Sequence, residues 1–372
     1  MSKIVKLEDV CSKGSSNIAQ KDLAGIDGKY KVFGASGYIQ NVNFYHQEND
    51  YIAIVKDGSG VGRVMLLPKK SSIIGTLQYI IPNPDIDVRF LYYNLIELNL
   101  SKYASGAAIP HIYFRDYRNE QIHIPSLERQ REIAAVLDKA NKLIEKRKEQ
   151  LRELEALAES VFYDLFGDPV TNHKEWKKMQ LDKLAEITSS KRIFAEEYTS
   201  NGIPFYRSKE IAELGEGKDI SIELFISCGK YKEIKKVYDI PKKGDILIAA
   251  IGATIGKMWI VDDRDSFYFK DGNILWVKNN GFEPVYLSNV LYRIIDKIKE
   301  RLTNGGAYPA LTILTMKSLE IIYPPIELQK QFATIIEKIE EQKRKVKEAI
   351  KESEDLFHRL MQDMLTPKYQ KK

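Results

Sequence analysis

The sequence predicts an α+β protein in which two globular mixed α/β modules with twisted β-sheets are separated by two long helices that form an antiparallel coiled coil. The main observation is an internal repeat. Shifting the chain by 199 positions lays Gly106–Phe166 over Gly305–Leu365 without a gap, with 16 identities in 61 pairs. Solenoid units are about 20–50 residues long, so this period indicates two similar halves. We therefore expect an approximate two-fold axis within one polypeptide, which suits a target with two half-sites.

The second observation is a coiled-coil pattern in both copies of the repeat. Apolar residues recur at alternating spacings of four and three, which is the a/d seam of a coiled coil. The apolar seam residues of the first copy are Ile133, Leu137, Ala140, Ile144, Leu151, Leu154, Ala158, Val161 and Leu165. Those of the second copy are Phe332, Ile336, Ile339, Val346, Ile350, Phe357, Leu360 and Met364. Polar residues interrupt the seam at Arg147, Lys343 and Ser353.

The two helices are expected to pair with each other. Antiparallel pairing with matched ends places Ile133 opposite Met364 and Arg147 beside Ile350, so that polar seam residues do not face one another. The alternative is two separate amphipathic helices, each packed on its own module. Seams of equal length favour the paired arrangement.

Helix boundary signals flank each copy. Proline stands near each predicted first turn, at Pro125 and Pro324, where its missing N–H costs nothing. Gly167 is predicted to end the first helix, and Thr366-Pro367 the second. Each helix of about 40 residues would be about 60 Å long.

The segments before each helix supply the third observation, because short strand and helix patterns alternate there between Gly, Pro and Asp residues. Predicted strands are Tyr51–Val55, Arg63–Leu67, Ser72–Ile81, Asp245–Ala250 and Ile274–Val277. Predicted helices are Val88–Leu100 and Pro284–Leu302. Both modules also begin with similar phrases, which start at Ile4 and Met179.

Bulk composition fits an ordinary globular protein of two or three domains. The chain has 372 residues, of which 44% are hydrophobic and 29% charged, and no apolar run reaches 18 residues. Its N-terminus lacks an apolar signal core, and its two cysteines, Cys11 and Cys228, are far apart, so we expect a cytoplasmic protein. The net charge of +5 permits nucleic-acid binding, but only if basic residues are sorted onto one face.

Two segments, IPSLERQREIAAVLDKANKLI (Ile124–Ile144) and YPPIELQKQFATIIEKIEEQK (Tyr323–Lys343), resemble the conserved regions of the specificity subunits of type I restriction–modification enzymes. Glycine phrases inside the modules are similar to that family as well: GKYKVFGASGYI (Gly28–Ile39), DGSGVGRV (Asp57–Val64), GIPFYRSKEI (Gly202–Ile211) and KKGDILIAAIGATIGKM (Lys242–Met258). The resemblance covers essentially the whole chain, in the order module, helix, module, helix.

The resemblance implies a non-catalytic DNA reader. Its parts would be target-recognition domain 1 (1–123), coiled-coil helix 1 (124–166), target-recognition domain 2 (167–322) and coiled-coil helix 2 (323–372). Each domain would read one half of a bipartite, asymmetric site in double-stranded DNA, and the coiled coil would set the spacer. Two methyltransferase subunits would dock on this frame and modify adenine with S-adenosylmethionine. A restriction–translocase subunit using ATP and magnesium would join where the complex restricts. This chain itself is expected to hold no cofactor and no metal, and to bind no membrane.

Motifs for enzymatic activity are incomplete. A methyltransferase needs a glycine-rich cofactor loop and an Asn- or Asp-Pro-Pro-aromatic motif; Phe33–Gly37 has the wrong spacing, and Tyr323–Ile326 opens a helix. Gly252–Lys257 resembles a P-loop, but only three residues separate its glycines and Met258 follows the lysine, so a glycine turn between two strands is favoured. Glu233–Lys235 offers half of a nuclease motif without an upstream Pro-Asp. Enzymatic function in this chain is therefore disfavoured.

Candidate DNA-contacting residues are the basic, amide and hydroxyl side chains in or beside polar Gly/Ser turns, because Arg and Lys read guanine, Asn reads adenine, and Lys, Ser and Thr hold phosphates. In the first module they are Lys31, Ser36, Asn41, Asn43, Lys56, Ser59 and Arg63. In the second they are Ser189, Ser190, Lys191, Arg192, Arg207, Lys209, Thr254 and Lys257. For any one of them, a solvated surface side chain is an alternative of at least equal weight. At the level of function, the alternatives are a subunit of a related modification-only or fused restriction–modification complex, and a coiled-coil scaffold that binds only protein.

Overall fold

The computed structural model describes residues 3–106, 108–279, 281–303 and 310–365. The chain divides into two compact units: unit 1 is Met1–Leu151 with Lys345–Lys372, and unit 2 is Arg152–Arg344. Each unit thus contains part of each long helix. The predicted domain limits at 123/124, 166/167 and 322/323 instead keep each long helix whole as its own segment. These limits stay a prediction. The predicted helix stop at 366–367 and the first residues of the second repeat copy, 305–309, lie outside the described residues.

Unit 1 begins with a mixed α/β module. Its strands are β1 (Lys3–Lys6), β2 (Cys11–Ser15), β3 (Tyr30–Gly34), β4 (Gly37–Val42), β5 (Tyr51–Val55), β6 (Val64–Leu67), β7 (Ser71–Ile73), β8 (Leu77–Pro82) and β9 (Gln121–Ile124). Its short helices are α1 (Val88–Glu97) and α2 (Phe114–Tyr117). The long helix α3 (Leu127–Phe166) follows.

Three sheets build this module. A four-stranded antiparallel sheet has the order β2-β8-β5-β6, a three-stranded sheet the order β4-β3-β7, and β1 pairs with β9. Strand β3 pairs antiparallel with β4 and parallel with β7. The predicted strand Ser72–Ile81 is wrong as a single element, because the turn at 74–76 divides it between β7 and β8, which lie in different sheets.

Unit 2 contains the second module. Its strands are β10 (Lys178–Gln180), β11 (Ala185–Thr188), β12 (Tyr198–Thr199), β13 (Ile203–Tyr206), β14 (Phe225–Ile226), β15 (Ile246–Ala249), β16 (Met258–Ile260), β17 (Tyr268–Phe269), β18 (Ile274–Asn279) and β19 (Glu320–Ile322). Its helices are α4 (Ser208–Gly215), α5 (Cys228–Val237), α6 (Pro284–Thr303) and α7 (Ile313–Lys317). The second long helix is α8 (Ile326–Leu365).

The sheets of unit 2 repeat those of unit 1. The order β11-β18-β15-β16 matches β2-β8-β5-β6, and β10 pairs with β19 as β1 pairs with β9. Strand β13 pairs antiparallel with β14 and parallel with β17, as β3 does with its neighbours. The two modules therefore have similar folds, and each precedes an equivalent long helix, although their sequences diverge.

Helices α3 and α8 have 40 residues each, and they run antiparallel where they pair. In unit 1 the start of α3 packs on the end of α8, with Ile133 and Leu137 buried against Met361 and Leu365. In unit 2 the start of α8 packs on the end of α3, and the Phe332 ring lies 5.6 Å from that of Phe162 and 5.3 Å from that of Phe166. The antiparallel coiled coil predicted from the seam is confirmed.

Every predicted apolar seam residue is buried or half-buried. Toward the C-terminal end of each helix, however, the most buried side chains are displaced by one position from the predicted seam. Phe162 and Phe166 are 0% exposed, and Met361 and Leu365 are 1% and 5% exposed. An α-helix drifts by about 20° per heptad relative to a strict 3.5-residue repeat. Because of this drift, the residues one position further along each helix face the modules.

The polar seam residues correct one expectation. The guanidinium of Arg147 donates hydrogen bonds to the carbonyl oxygen of Ala349 at 2.6 Å and to the hydroxyl of Ser353. Two polar seam residues therefore do meet, because the arginine side chain is long enough to reach beyond Ile350, the residue predicted beside it. Lys343 instead pairs with Glu340 on its own helix, at 2.8 Å.

A buried glutamine joins each long helix to the module before it. In unit 1 the side-chain carbonyl of Gln130 accepts from the backbone N–H of Asp87 at 2.9 Å, directly before α1. In unit 2 that of Gln329 accepts from the backbone N–H of Glu283 at 3.0 Å, directly before α6. Both side-chain amides also donate to the carbonyl oxygen of a proline before the helix, Pro125 or Pro324.

Candidate nucleic-acid interface

Each unit presents one glycine hairpin between equivalent strands. The hairpin joins β5 to β6 in unit 1 and β15 to β16 in unit 2, and it is closed by the N–H of Gly62 donating to Val55 at 2.9 Å and that of Gly256 donating to Ala249 at 2.8 Å. Both glycines have positive φ, 84° and 78°, and a Cβ on Gly62 would lie 2.5 Å from the backbone nitrogen of Ser101. The turn predicted at 252–257 in place of a P-loop is confirmed.

In unit 1, the hairpin tip carries several predicted contact residues. Ser59 is exposed at its tip, and Lys56 is half-buried with its ammonium 3.9 Å from Asp57. Arg63 donates to the carbonyl oxygen of Ala35 at 3.0 Å, which ties the hairpin to the β3–β4 turn where Ser36 is exposed. Three predicted residues from two separate parts of the sequence, Ser36 on one turn and Ser59 and Arg63 on the other, are thereby brought close together.

The remaining predicted residues of unit 1 lie on the sheet β4-β3-β7. Lys31 on β3 is directly opposite Asn41 on β4, and Asn43 is exposed just after that strand. The amide oxygen of Asn41 accepts from the Tyr38 hydroxyl at 3.2 Å. Lys31 is exposed and lines a concave surface together with Ser71 of the neighbouring strand β7.

In unit 2, four consecutive candidates divide into two that support the fold and two that are exposed. The hydroxyls of Ser189 and Ser190 donate to the backbone carbonyls of Ile274 and Phe269, at 2.7 and 2.6 Å. Lys191 and Arg192 project from the surface; the Lys191 ammonium lies 5.2 Å from the ring centre of Tyr238. Of the four, the lysine and arginine side chains are therefore better placed for DNA than the serine hydroxyls.

Within the described residues, every basic candidate of unit 2 except Lys191 is paired with a carboxylate; the exposed guanidinium of Arg192 lies 3.6 Å from Asp271. Arg207 donates to Glu210 at 2.7 Å and to Glu223 at 2.8 Å, and these hydrogen bonds raise the pKa of its guanidinium. Lys209 lies 3.7 Å from the same Glu223.

Near the glycine hairpin of unit 2, Thr254 is half-buried in the turn. Lys257 contacts Glu216 at 2.9 Å, and hydrogen bonds from Lys218 and Lys257 lower the pKa of the Glu216 carboxyl to about 2. Such paired cations already have a carboxylate in the position that a phosphate would take.

Three further lysines of unit 1 were not predicted from the sequence. Lys29, Lys69 and Lys70 are exposed and line one concave surface with Lys31. The signal was present as two short phrases, GKYK at Gly28–Lys31 and PKK at Pro68–Lys70. Their relation could not be read from the sequence, because about 37 residues separate them and only the parallel pairing of β3 with β7 brings them together.

Features of other functional classes are sparse in the described part of the chain. Residues 3–106, 108–279, 281–303 and 310–365 contain no group of three His, Cys, Asp or Glu side chains arranged to hold a metal ion. Over the same residues, no helix is both long enough and apolar enough to cross a membrane. The Glu233–Lys235 phrase lies on α5, where Glu233 is exposed beside Lys230 at 3.8 Å.

Comparison with known proteins relates both units to one family. The family model described as the type I restriction modification DNA specificity domain matches residues 2–156 and again 173–353. A Haemophilus influenzae protein named as a candidate type I restriction enzyme specificity subunit is 28% identical over 85% of this chain and 81% of its own length. The type I restriction enzyme MjaVIII specificity subunit of Methanocaldococcus jannaschii is 27% identical over 87% of this chain and 80% of its own length.

Solved structures agree with that relation at the level of fold. The crystal structure of a type I restriction-modification system S subunit from M. genitalium superposes with a TM-score of 0.64 at 16% identity, over 99% of this chain and 97% of that one. The family model matches once before and once after Gly167, the residue that follows α3. The chain therefore belongs to the type I restriction modification DNA specificity domain family.

Proposed function

We propose that this chain is the DNA sequence-specificity subunit of a type I restriction–modification enzyme, and that each unit reads one half of a bipartite, asymmetric site. The observation that carries the proposal is the duplication of the whole module, with sheet orders β2-β8-β5-β6 and β11-β18-β15-β16 in front of equivalent long helices. Two modules of one fold but different surface side chains suit two half-sites of different sequence. The chain supplies recognition and no catalytic step.

Candidate reading surfaces lie at the glycine hairpins and the turns beside them. In unit 1, the contacts would come from Ser36, Ser59 and Arg63, and in unit 2 from Lys191 and Arg192. Each hairpin carries a glycine with open space where a Cβ would lie, Gly58 in unit 1 and Gly252 in unit 2, so the backbone there can approach a duplex closely. Phosphate contacts would position each unit, and side chains on base edges would provide the sequence preference.

Two methyltransferase subunits are the proposed protein partners. Leu157 and Leu356 occupy the same position of the repeat, and each leaves about half of its side chain exposed, 48% and 50%. An apolar residue repeated at equal positions on two helices suits two copies of one partner. The partners would bind S-adenosylmethionine and methylate adenine in the cytoplasm, and a restriction–translocase subunit using ATP and magnesium would join for cleavage.

Methylome sequencing of the host with an exchanged module tests the proposal. Replacing residues 168–323 with the equivalent module of a relative should change one half of the methylated motif and leave the other half intact. A matched exchange within unit 1 should change the opposite half. If deletion of the gene leaves all adenine methylation unchanged, the specificity function is wrong. If both halves change together, the assignment of one unit to one half-site is wrong.

A mobility-shift assay separates this proposal from a scaffold that binds only protein. The chain together with its methyltransferase subunits should shift a duplex that carries the methylome-derived motif. Neither the chain alone nor the complex would shift DNA if the chain were only a scaffold. Methylation by the chain alone would instead indicate a fused enzyme.

A further inference from the structure

A concave surface of unit 1 is lined by Lys29, Tyr30, Lys31, Pro68, Lys69, Lys70 and Ser71. It encloses about 430 Å³, and four of its seven lining residues are lysines, with no carboxylate among them. We refer to it as the lysine concavity. Acidic and basic residues are similar in number along the chain, so the sequence alone did not reveal this grouping of basic side chains. A nucleic-acid partner requires such a grouping on one face.

The fold creates the concavity by joining two distant segments. Strands β3 and β7 run parallel, with Lys31 opposite Ser71, so the residues just before and on β3 lie beside the turn that leads into β7. Lys29 and Lys31 are two residues apart, and the spacing along an extended chain places them about 7 Å apart. The other two lysines occupy the turn itself.

That turn is held in an unfavourable backbone conformation. Lys70 has a φ of 53°, in the left-handed region that non-glycine residues rarely adopt. Its N–H donates to the carbonyl oxygen of Gln47 at 2.7 Å, and the N–H of Lys69 donates to the carboxylate of Asp50 at 2.7 Å. The Ser71 hydroxyl donates to the carbonyl oxygen of Pro68 at 2.6 Å. These bonds fix where the two lysines project, which is typical of strain retained at functional positions.

Most lysine side chains of the concavity are unpaired in the described residues, although the Asp50 carboxylate lies beside it and accepts from the backbone N–H of Lys69. Lys29, Lys31 and Lys69 make no ion pair with any residue in the described ranges, whereas Lys70 lies 3.7 Å from Glu48 with both side chains more than half exposed. Exposed pairs of this kind contribute little energy, so Glu48 is easily displaced by a competing anion. The basic candidates of unit 2, in contrast, mostly have carboxylate partners.

We propose that the lysine concavity binds the phosphate backbone of DNA and positions unit 1 on its half-site. The inference rests on the proposed specificity function and deepens it, because it separates a phosphate-binding surface from the base-reading turns. Lysine ammonium groups on flexible stems bind phosphates as point charges and carry little sequence information. The concavity therefore contributes affinity, and neighbouring side chains on the hairpin contribute specificity.

The test compares two double variants in the reconstituted complex of full-length chain and methyltransferase subunits. Lys31→Gln with Lys69→Gln removes one unpaired charge from each segment and leaves the strained Lys70 in place. Lys13→Gln with Lys21→Gln removes two exposed charges of unit 1 outside the concavity. Binding to a duplex carrying the methylome-derived motif is measured by fluorescence anisotropy between about 50 and 200 mM salt, a range over which phosphate contacts make affinity fall steeply.

For the concavity variant, the slope of log K against log salt should become less negative by about 2, since each phosphate contact contributes about 0.9. Affinity at low salt should fall on the order of tenfold, with the methylated motif unchanged, because phosphate contacts act on all sequences alike. The control should keep the wild-type slope. A charge-retaining variant, Lys31→Arg with Lys69→Arg, should keep it as well, which shows that lost charge and not lost folding is responsible.

An unchanged slope in the concavity variant, or an equal loss in the control, would overturn the inference. A changed motif would also overturn it, since the lysines would then read bases. Each of these three results leaves the proposed specificity function intact as long as the wild-type complex prefers the motif duplex. If the wild-type complex itself shows no preference for the motif duplex, the proposed specificity function is wrong.

Discussion

Arg147 of α3 donates hydrogen bonds to the hydroxyl of Ser353 and to the carbonyl oxygen of Ala349 on α8. Ser353 is 6% exposed and its hydroxyl also donates to Ala349, at 2.6 Å. Polar residues at single seam positions are a known means of fixing the register of a coiled coil, at some cost in stability. The pair therefore defines one antiparallel register for this part of unit 1.

A double-mutant cycle on this pair should reveal coupling. Arg147→Met and Ser353→Ala should each destabilise the chain by about 1 kcal/mol, because each leaves a buried polar partner with fewer hydrogen bonds. The double variant should be less destabilised than the sum, since both partners are then replaced by apolar groups. Thermal denaturation followed by circular dichroism measures the effect. Additive losses would show that the two side chains do not act as a pair.

The buried glutamine at the start of each long helix should matter for stability. Gln329 is 0% exposed, and Gln329→Leu would leave the N–H of Glu283 and the carbonyl of Pro324 without their partner. Loss of these buried hydrogen bonds should cost about 1–3 kcal/mol. Gln331→Leu is the matched control, because Gln331 is exposed two residues further along the helix. Equal melting temperatures for the two variants would contradict the structural role.

The two cysteines should differ sharply in reactivity. Cys11 is 5% exposed, and burial raises the pKa of its thiol to about 12, so almost no thiolate forms at pH 8. Cys228 is exposed at the start of α5. Ellman's reagent should therefore label one thiol in the native chain and two in guanidinium, and Cys228→Ser should remove the native signal. Native labelling of the Cys228→Ser variant would show that the core around Cys11 opens readily.

The exposed pair Lys191 and Arg192 should contribute to DNA binding by unit 2. Changing both to alanine should weaken binding to the motif duplex by about 1–3 kcal/mol if either side chain reads a base. The control changes Lys232 and Lys236 to alanine, which removes two charges from the exposed face of α5 in the same unit. Unchanged affinity with an unchanged methylated motif would assign Lys191 and Arg192 to the solvated surface.

The coiled coil is proposed to set the spacer between the half-sites. Inserting one heptad after Glu149 and one after Glu348 keeps the a/d pattern and lengthens each helix by about 10 Å. That length corresponds to about three base pairs, which also rotate the second half-site by roughly 100°. Methylome sequencing should show either no modification or a longer spacer with the same half-sites. Recovery of the original motif and spacer would contradict this role of the coiled coil.

The sequence by itself determined the long-range organisation of this protein. The gapless repeat and the heptad pattern can both be read directly along the sequence. They therefore predicted two 40-residue helices, their antiparallel pairing and a module before each one. The strand at Tyr51–Val55 and the helix starting at Val88 were also predictable, because their apolar patterns and flanking signals are contained within the element itself.

Only the tertiary structure decided which surface residues lie together and which are already occupied. Lys31 and Lys69 share a concavity because β3 pairs parallel with β7, a contact between segments 38 positions apart. Arg207, an attractive base reader by residue type, is instead held by Glu210 and Glu223. Side-chain pairing depends on distances of a few ångströms between remote parts of the chain, and no local periodicity encodes those distances.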